Sequence, residues 1–160
     1  MNKLFRTFVG DWAVVETFQQ NEFFPKGGER RGTARFSVGT GGTSLIEDYH
    51  SDGSAGKLDF LMVIWWNAPE RVYQVFTCSN GSDNAGELRG SAHWEGGTFI
   101  NDYEEKVRGK ELKFQDRFSE LTSGSFTLVA GINRRGKTFE PLITTTYWRK
   151  ANSSPRARPG

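Results

Sequence analysis

"FVGDWAVVETF", residues 8–18, is the stretch on which the fold turns. Alternation along a strand puts Trp12, Val14, Glu16 and Phe18 on one face. Gly10 lets the chain turn sharply at the strand's mouth, so the large Trp12 ring follows immediately after a bend. Residues 1–9 predict a short helical turn with Leu4, Phe5 and Phe8 on one side. The far end of the chain reads "YWRK", residues 147–150. If the last strand pairs with the first, Arg149 can lie across the Trp12 ring, a contact worth about 0.5–2 kcal/mol. Trp12 then plugs one end of a closed sheet, backed by the helical turn.

What lies between supports closure. Long helical periodicity is missing, while aromatic residues, Thr, Val and 19 glycines are plentiful, a composition that favours an all-β domain. About ten strands follow at roughly regular spacing: 12–18, 31–38, 44–51, 57–66, 71–79, 87–95, 98–107, 111–119, 125–132 and 139–149. Short connections such as "NAPE" at 67–70, "EGG" at 95–97, "RGKE" at 108–111 and "RRGK" at 134–137 suit tight hairpins. Strands so joined run antiparallel and side by side. A meander of this length leaves two bare edges unless it curls into an up-and-down antiparallel β-barrel, whose interior holds one small ligand or is filled by side chains.

The chain has 160 residues and a formal net charge of +2. Much of the positive excess sits in the tail, "WRKANSSPRARPG", leaving no clustered basic face of the kind nucleic acid requires. The tail from 151 to 160 is Ser-, Pro- and Arg-rich and is expected to be disordered. One cysteine, Cys78, excludes an internal disulfide. The longest apolar run, "FLMVIWW" at 60–66, is far too short for a helical membrane span, and "MNKLFRTFVGDW" does not resemble a signal peptide. A cytoplasmic protein without membrane or nucleic-acid partners is expected.

The opening helical turn, the Gly-x-Trp at the start of the first strand, the meander and the terminal arginine together resemble the calycin pattern of lipocalins and fatty-acid-binding proteins. More specifically, "FVGDWAVVETF", "GTARFSVGTGGTSLIEDYHSDG" at 32–53 and "GSAHWEGGTFINDYEE" at 90–105 are similar to the bacterial DUF1579 family of lipocalin-like domains, whose function is not established. The resemblance implies one lipocalin-like barrel over residues 1–150. Its motifs are structural glycines and aromatics, so it supplies no catalytic residues. Gly10, Trp12 and Arg149 are the expected barrel-end residues.

Parity predicts an apolar inner face carrying isolated polar groups. Glu16, Gln74, Asn101 and Asp116 fall in line with apolar neighbours on the first, fifth, seventh and eighth strands. An inward carboxylate in a solid apolar core costs several kcal/mol unless paired. Water, a polar ligand or an internal ion pair is therefore expected inside. The expected pocket has Glu16, Gln74, Asn101 and Asp116 as polar members and Phe18, Tyr49, Trp94, Tyr103, Phe118 and Tyr147 as walls. The same polar groups pairing with inward Arg or Tyr to fix register is the competing expectation. In "SLIEDYHS", 44–51, Leu45, Glu47 and Tyr49 oppose Ile46, Asp48 and His50, and periodicity does not choose between the faces.

The strand 57–66 is apolar on both faces, Leu58, Phe60, Met62, Ile64 and Trp66 against Leu61, Val63 and Trp65. It needs an outer cover, either the N-terminal turn or a second copy in a homodimer through 58–66. No metal-ligand or phosphate-loop spacing occurs, and neither His50 nor His93 lies near the C-terminal strands, so no cofactor is implied. Three functions remain open. The first is a binding protein for a small, partly apolar molecule with a polar or cationic group near Glu16 and Asp116. The second is an isomerase, cyclase or hydratase with Glu16 or Asp116 as base and Tyr103, Tyr49 or His50 as acid. The third is a structural or interaction module with a filled core.

Overall fold

A computed structural model describes residues 3–81, 86–134 and 138–151. The helix α1 (Lys3–Phe8) leads into β1 (Gly10–Phe18), β2 (Gly28–Val38), β3 (Ser44–Gly53), β4 (Leu58–Asn67), β5 (Val72–Ser79), β6 (Glu87–Glu95), β7 (Thr98–Val107), β8 (Lys110–Ser119), β9 (Ser125–Asn133) and β10 (Phe139–Arg149). Every strand pairs with its chain neighbours, and β1 pairs with β10, so the sheet closes on itself as an up-and-down barrel. The turn expected at 134–137 and the tail at 151–160 fall largely on residues outside this description.

The closing seam runs antiparallel from Trp12 opposite Arg149 to Phe18 opposite Ile143. Trp12 is fully buried, and its indole N–H donates to the Phe8 carbonyl at 2.8 Å. The Arg149 guanidinium lies 4.2 Å from the centre of the Trp12 ring. It also donates to the carbonyls of Val9 and Ser123, each at 2.7 Å, and of Thr7 at 3.4 Å. One side chain thus ties the end of α1, the start of β1 and the β8–β9 turn to the last strand. Gly10 has φ of 144°, and a Cβ there would strike the guanidinium. Glycine is required at this bend both for its backbone angle and for the space it leaves.

Across the closed end α1 buries Leu4, Phe5 and Phe8. Phe8 packs on Phe126 at 5.1 Å and on Phe36 at 5.5 Å, while Trp12 meets Phe126 at 4.8 Å. These rings form an aromatic floor. The helix therefore plugs the barrel and does not cover the outside of β4, where Leu61 is 42% and Trp65 36% exposed. Of the two covers expected for that strand, the N-terminal turn is excluded. No helix among the described residues is long and apolar enough to cross a membrane.

Two irregularities have local causes. The β9–β10 register shifts between Pro141 and Ile143, where a proline that cannot donate to the ladder sits naturally at a bulge. In β5 the inward residues are Tyr73 and Val75, opposite Trp66 and Ile64 of β4. Gln74 consequently faces outward and donates to Glu70 at 2.8 Å, which corrects its expected place in the pocket. The hairpin joining Asn67 to Val72, with Arg71 at φ of 56°, fixes this phase. Both faces of β5 carry apolar residues, so its pattern alone does not.

Gly10→Ala is expected to destabilise the protein by more than about 1 kcal/mol. Arg149→Met should cost about 2–4 kcal/mol through lost charge-assisted hydrogen bonds and ring contact. Urea unfolding midpoints check both, and unchanged midpoints would contradict this account of the seam.

Candidate functional site

The inward side chains above the aromatic floor line an open-ended cavity of about 180 Å³. It shares Arg30, Leu58, Tyr103 and Ile143 with a wider mouth of about 380 Å³. Phe18, Phe23 and Phe24 line that mouth, the last two from the β1–β2 connection. Phe18 therefore lies at the entrance, against Phe24 at 4.6 Å and under the Arg30 guanidinium at 4.5 Å. Trp94 belongs to the floor instead, 5.1 Å from Phe99 and beneath the Lys3 ammonium at 3.9 Å. Glu16, Tyr49, Asn101, Tyr103, Asp116, Phe118 and Tyr147 are brought together around the inner cavity.

Three carboxyl groups meet this space, and their surroundings differ. Glu16 on β1 stands opposite Arg30 on β2, whose Nε and Nη2 both reach its Oε2 at 2.5 Å. Its Oε1 accepts hydrogen bonds from Tyr49 and, at 3.2 Å, from Ser51. This is a buried ion pair with its remaining lone pairs satisfied, the arrangement that makes such a pair tolerable. Glu16 is thus part of the cavity wall with its charge already answered.

Glu47 on β3 is 1% exposed and accepts a hydrogen bond from the Tyr147 hydroxyl at 3.1 Å. Burial pushes its carboxyl from 4.5 up to about 8, opposed by the Tyr147 hydrogen bond and reinforced by the charges of Asp116 and Glu16. Asp116 on β8 accepts from Tyr103 at 3.3 Å and from the Asn101 amide at 3.4 Å. Burial raises it to about 7. Tyr103 and Tyr147 are themselves pushed up, first by burial and then by these neighbouring carboxyls. Neither Glu47 nor Asp116 has a salt bridge to a basic group among the described residues. In a low-dielectric site an acid without a base keeps its proton.

Asn101, 5% exposed, donates to Asp116, but its Oδ1 is buried without a donor. It lies so close over Gly90 that a Cβ at that position would collide with it. The close approach explains why β6 carries a glycine in mid-strand.

Both histidines lie outside the barrel. His50 is 2.9 Å from Asp59 and 3.0 Å from Asp48, and hydrogen bonding to Asp59 holds its pKa up. His93 is exposed, 3.7 Å from Glu95. His50 is therefore removed from the candidate acids. Two residues of consequence were not named as site residues from the sequence, Arg30 and Glu47. Each had a signal. Arg30 shares the parity of Ala34 and Phe36, and Glu47 that of Leu45 and Tyr49, on a strand whose pattern does not choose its inner face.

No family model matches the sequence, and no curated protein matches it. Solved structures do resemble the fold. The S-type phycobiliprotein lyase CPES of Guillardia theta superposes with a TM-score of 0.61 at 13% identity, covering 93% of this chain and 92% of its own. Rv2717c of M. tuberculosis gives 0.61 at 10% identity, covering 93% and 96%. These likenesses extend to the fold and no further.

The raised Glu47 makes stability depend on pH with a definite sign. Between about 4.5 and 8 the folded chain keeps a proton that the unfolded chain releases, so stability is greatest below this window and falls as pH rises through it, by up to about 1.4 kcal/mol per pH unit. Urea midpoints of wild type are expected to fall across that window, and those of Glu47→Gln to fall less steeply. Parallel profiles for the two proteins would contradict the assignment.

Proposed function

We propose that this chain binds a small, partly apolar molecule in the barrel cavity. The observation that carries the reading is the space inside the barrel. Its walls include Tyr49, Phe60, Phe118 and Tyr147, it opens to a mouth, and polar groups converge on it at only a few points, the usual make-up of a small-molecule site. Membership of the DUF1579 family, a cytoplasmic location and one domain over residues 1–150 belong to the same reading, supported by the three quoted motifs and the extent of the barrel. So does a homodimer through the outer face of β4. There Val63 lies between Ile46 of β3 and Phe76 of β5, with Leu61 and Trp65 exposed beside them. Leu61→Glu should then lower the mass measured by sedimentation from two chains to one.

One observation favours a second reading in the same cavity. Asp116, raised to about 7 and hydrogen-bonded to Tyr103, has the proton affinity a general acid or base needs near neutrality. Asp116→Asn separates the two: affinity falls under binding, whereas turnover collapses with affinity retained under catalysis.

Native mass spectrometry of the protein purified from its host tests the main reading. Wild type is expected to retain a small molecule, and Ala130→Phe, which fills the cavity wall beneath the mouth, to lose it. Equal retention by both proteins, or none by either, would contradict it.

A further inference from the structure

We infer that the cavity takes an organic cation, a protonated amine on a small, one-ring apolar body, with its N–H groups against Asp116 and Glu47. The inference rests on the binding reading above and names the ligand class for it.

Charge placement leads to this class. Arg30 is bound to Glu16 through two of its nitrogens. The other arginine on the cavity wall, Arg89, carries its guanidinium on the outer face, 5.2 Å from the Phe76 ring and 2.8 Å from Glu87. Among the described residues, Asp116 and Glu47 therefore face one cavity with only hydroxyl and amide donors, which supply hydrogen bonds but no charge. An ammonium group answers both, taking the place of the protons they hold in the free protein, because it brings a positive charge and several N–H donors. A quaternary cation would leave the acceptors bare, and an anion would add a further negative charge to a cavity whose inward arginine, Arg30, is already bound to Glu16.

The walls suit the rest of such a ligand. Tyr49 stacks on Phe60 at 4.4 Å and Tyr103 on Phe114 at 5.6 Å, bringing aromatic rings to the space from two sides. Ring faces attract cations as well as apolar bodies. The inner cavity of about 180 Å³ lies below the several hundred Å³ of drug-sized sites, so about one ring fits beside the two acids and anything larger extends into the mouth.

Calorimetric titration with phenethylamine, phenethyl alcohol and phenylacetate, on wild type, Asp116→Asn and Glu47→Gln, tests the inference. The amine is expected to bind wild type about thirtyfold or more tightly than the alcohol, the scale of a desolvated charge pair, and phenylacetate not to bind. Either variant should cut the amine's affinity by a comparable factor while leaving the alcohol's unchanged; Glu47→Gln serves if Asp116→Asn does not fold. If the alcohol or phenylacetate matches the amine, or the amine binds both variants as it binds wild type, the cation assignment is overturned and the binding reading survives. If none of the three enters, with the ring resonances of Phe118 and Tyr147 unmoved, both are overturned.

Discussion

A carboxyl group that a closed sheet turns away from water must find a cation or keep its proton. Among the described residues, β1, β3 and β8 each place a carboxyl on the inner cavity, and the chain meets that constraint in two ways. Glu16 takes Arg30 from the neighbouring strand and is further bonded by Tyr49 and Ser51. Glu47 and Asp116 take only neutral donors. The first arrangement joins β1, β2 and β3 through side chains. The second leaves two acids of raised proton affinity facing a cavity, and the functional reading follows from that difference.

The interior exists because the sheet closes. Trp12 and Arg149 face each other across the seam, and Arg149 gathers carbonyls from α1, the entry to β1 and the β8–β9 turn. The aromatic floor fills one end of the barrel, with Tyr147 stacked on Phe126 at 4.2 Å. Above it the residues become smaller and more polar: Thr145, Ala130, Gly90 and Asn101 cannot fill the space that the floor's phenylalanines fill. The same strands thus supply a packed core at one end and a cavity at the other.

Much of this was legible before any coordinates. Hairpin chemistry between apolar runs implies a meander, and a long meander avoids bare edges by closing. Gly10, Trp12 and the terminal Arg149 marked where it closes. Facing was legible where one side of a strand is clearly apolar, as in β1 and β8. It was not legible in β5, where Val72 and Phe76 compete with Tyr73 and Val75, nor in β3, where a carboxylate occurs on both faces. In such strands the phase comes from the turn and the neighbouring register, which are properties of pairs of strands. Glu47 was hidden for that reason, and Arg30 because β2 begins earlier than its β-branched and aromatic residues suggest.

The state of the two unpaired acids is the centre of this account. Carbon-13 NMR titration of the side-chain carboxyl carbons in the free protein, assigned with Glu47→Gln and Asp116→Asn, measures it directly. The account predicts midpoints near 8 for Glu47 and near 7 for Asp116. Both carbons titrating in the ordinary carboxylate range, at about 4, would mean that these groups are solvated or paired with a cation, and would contradict it.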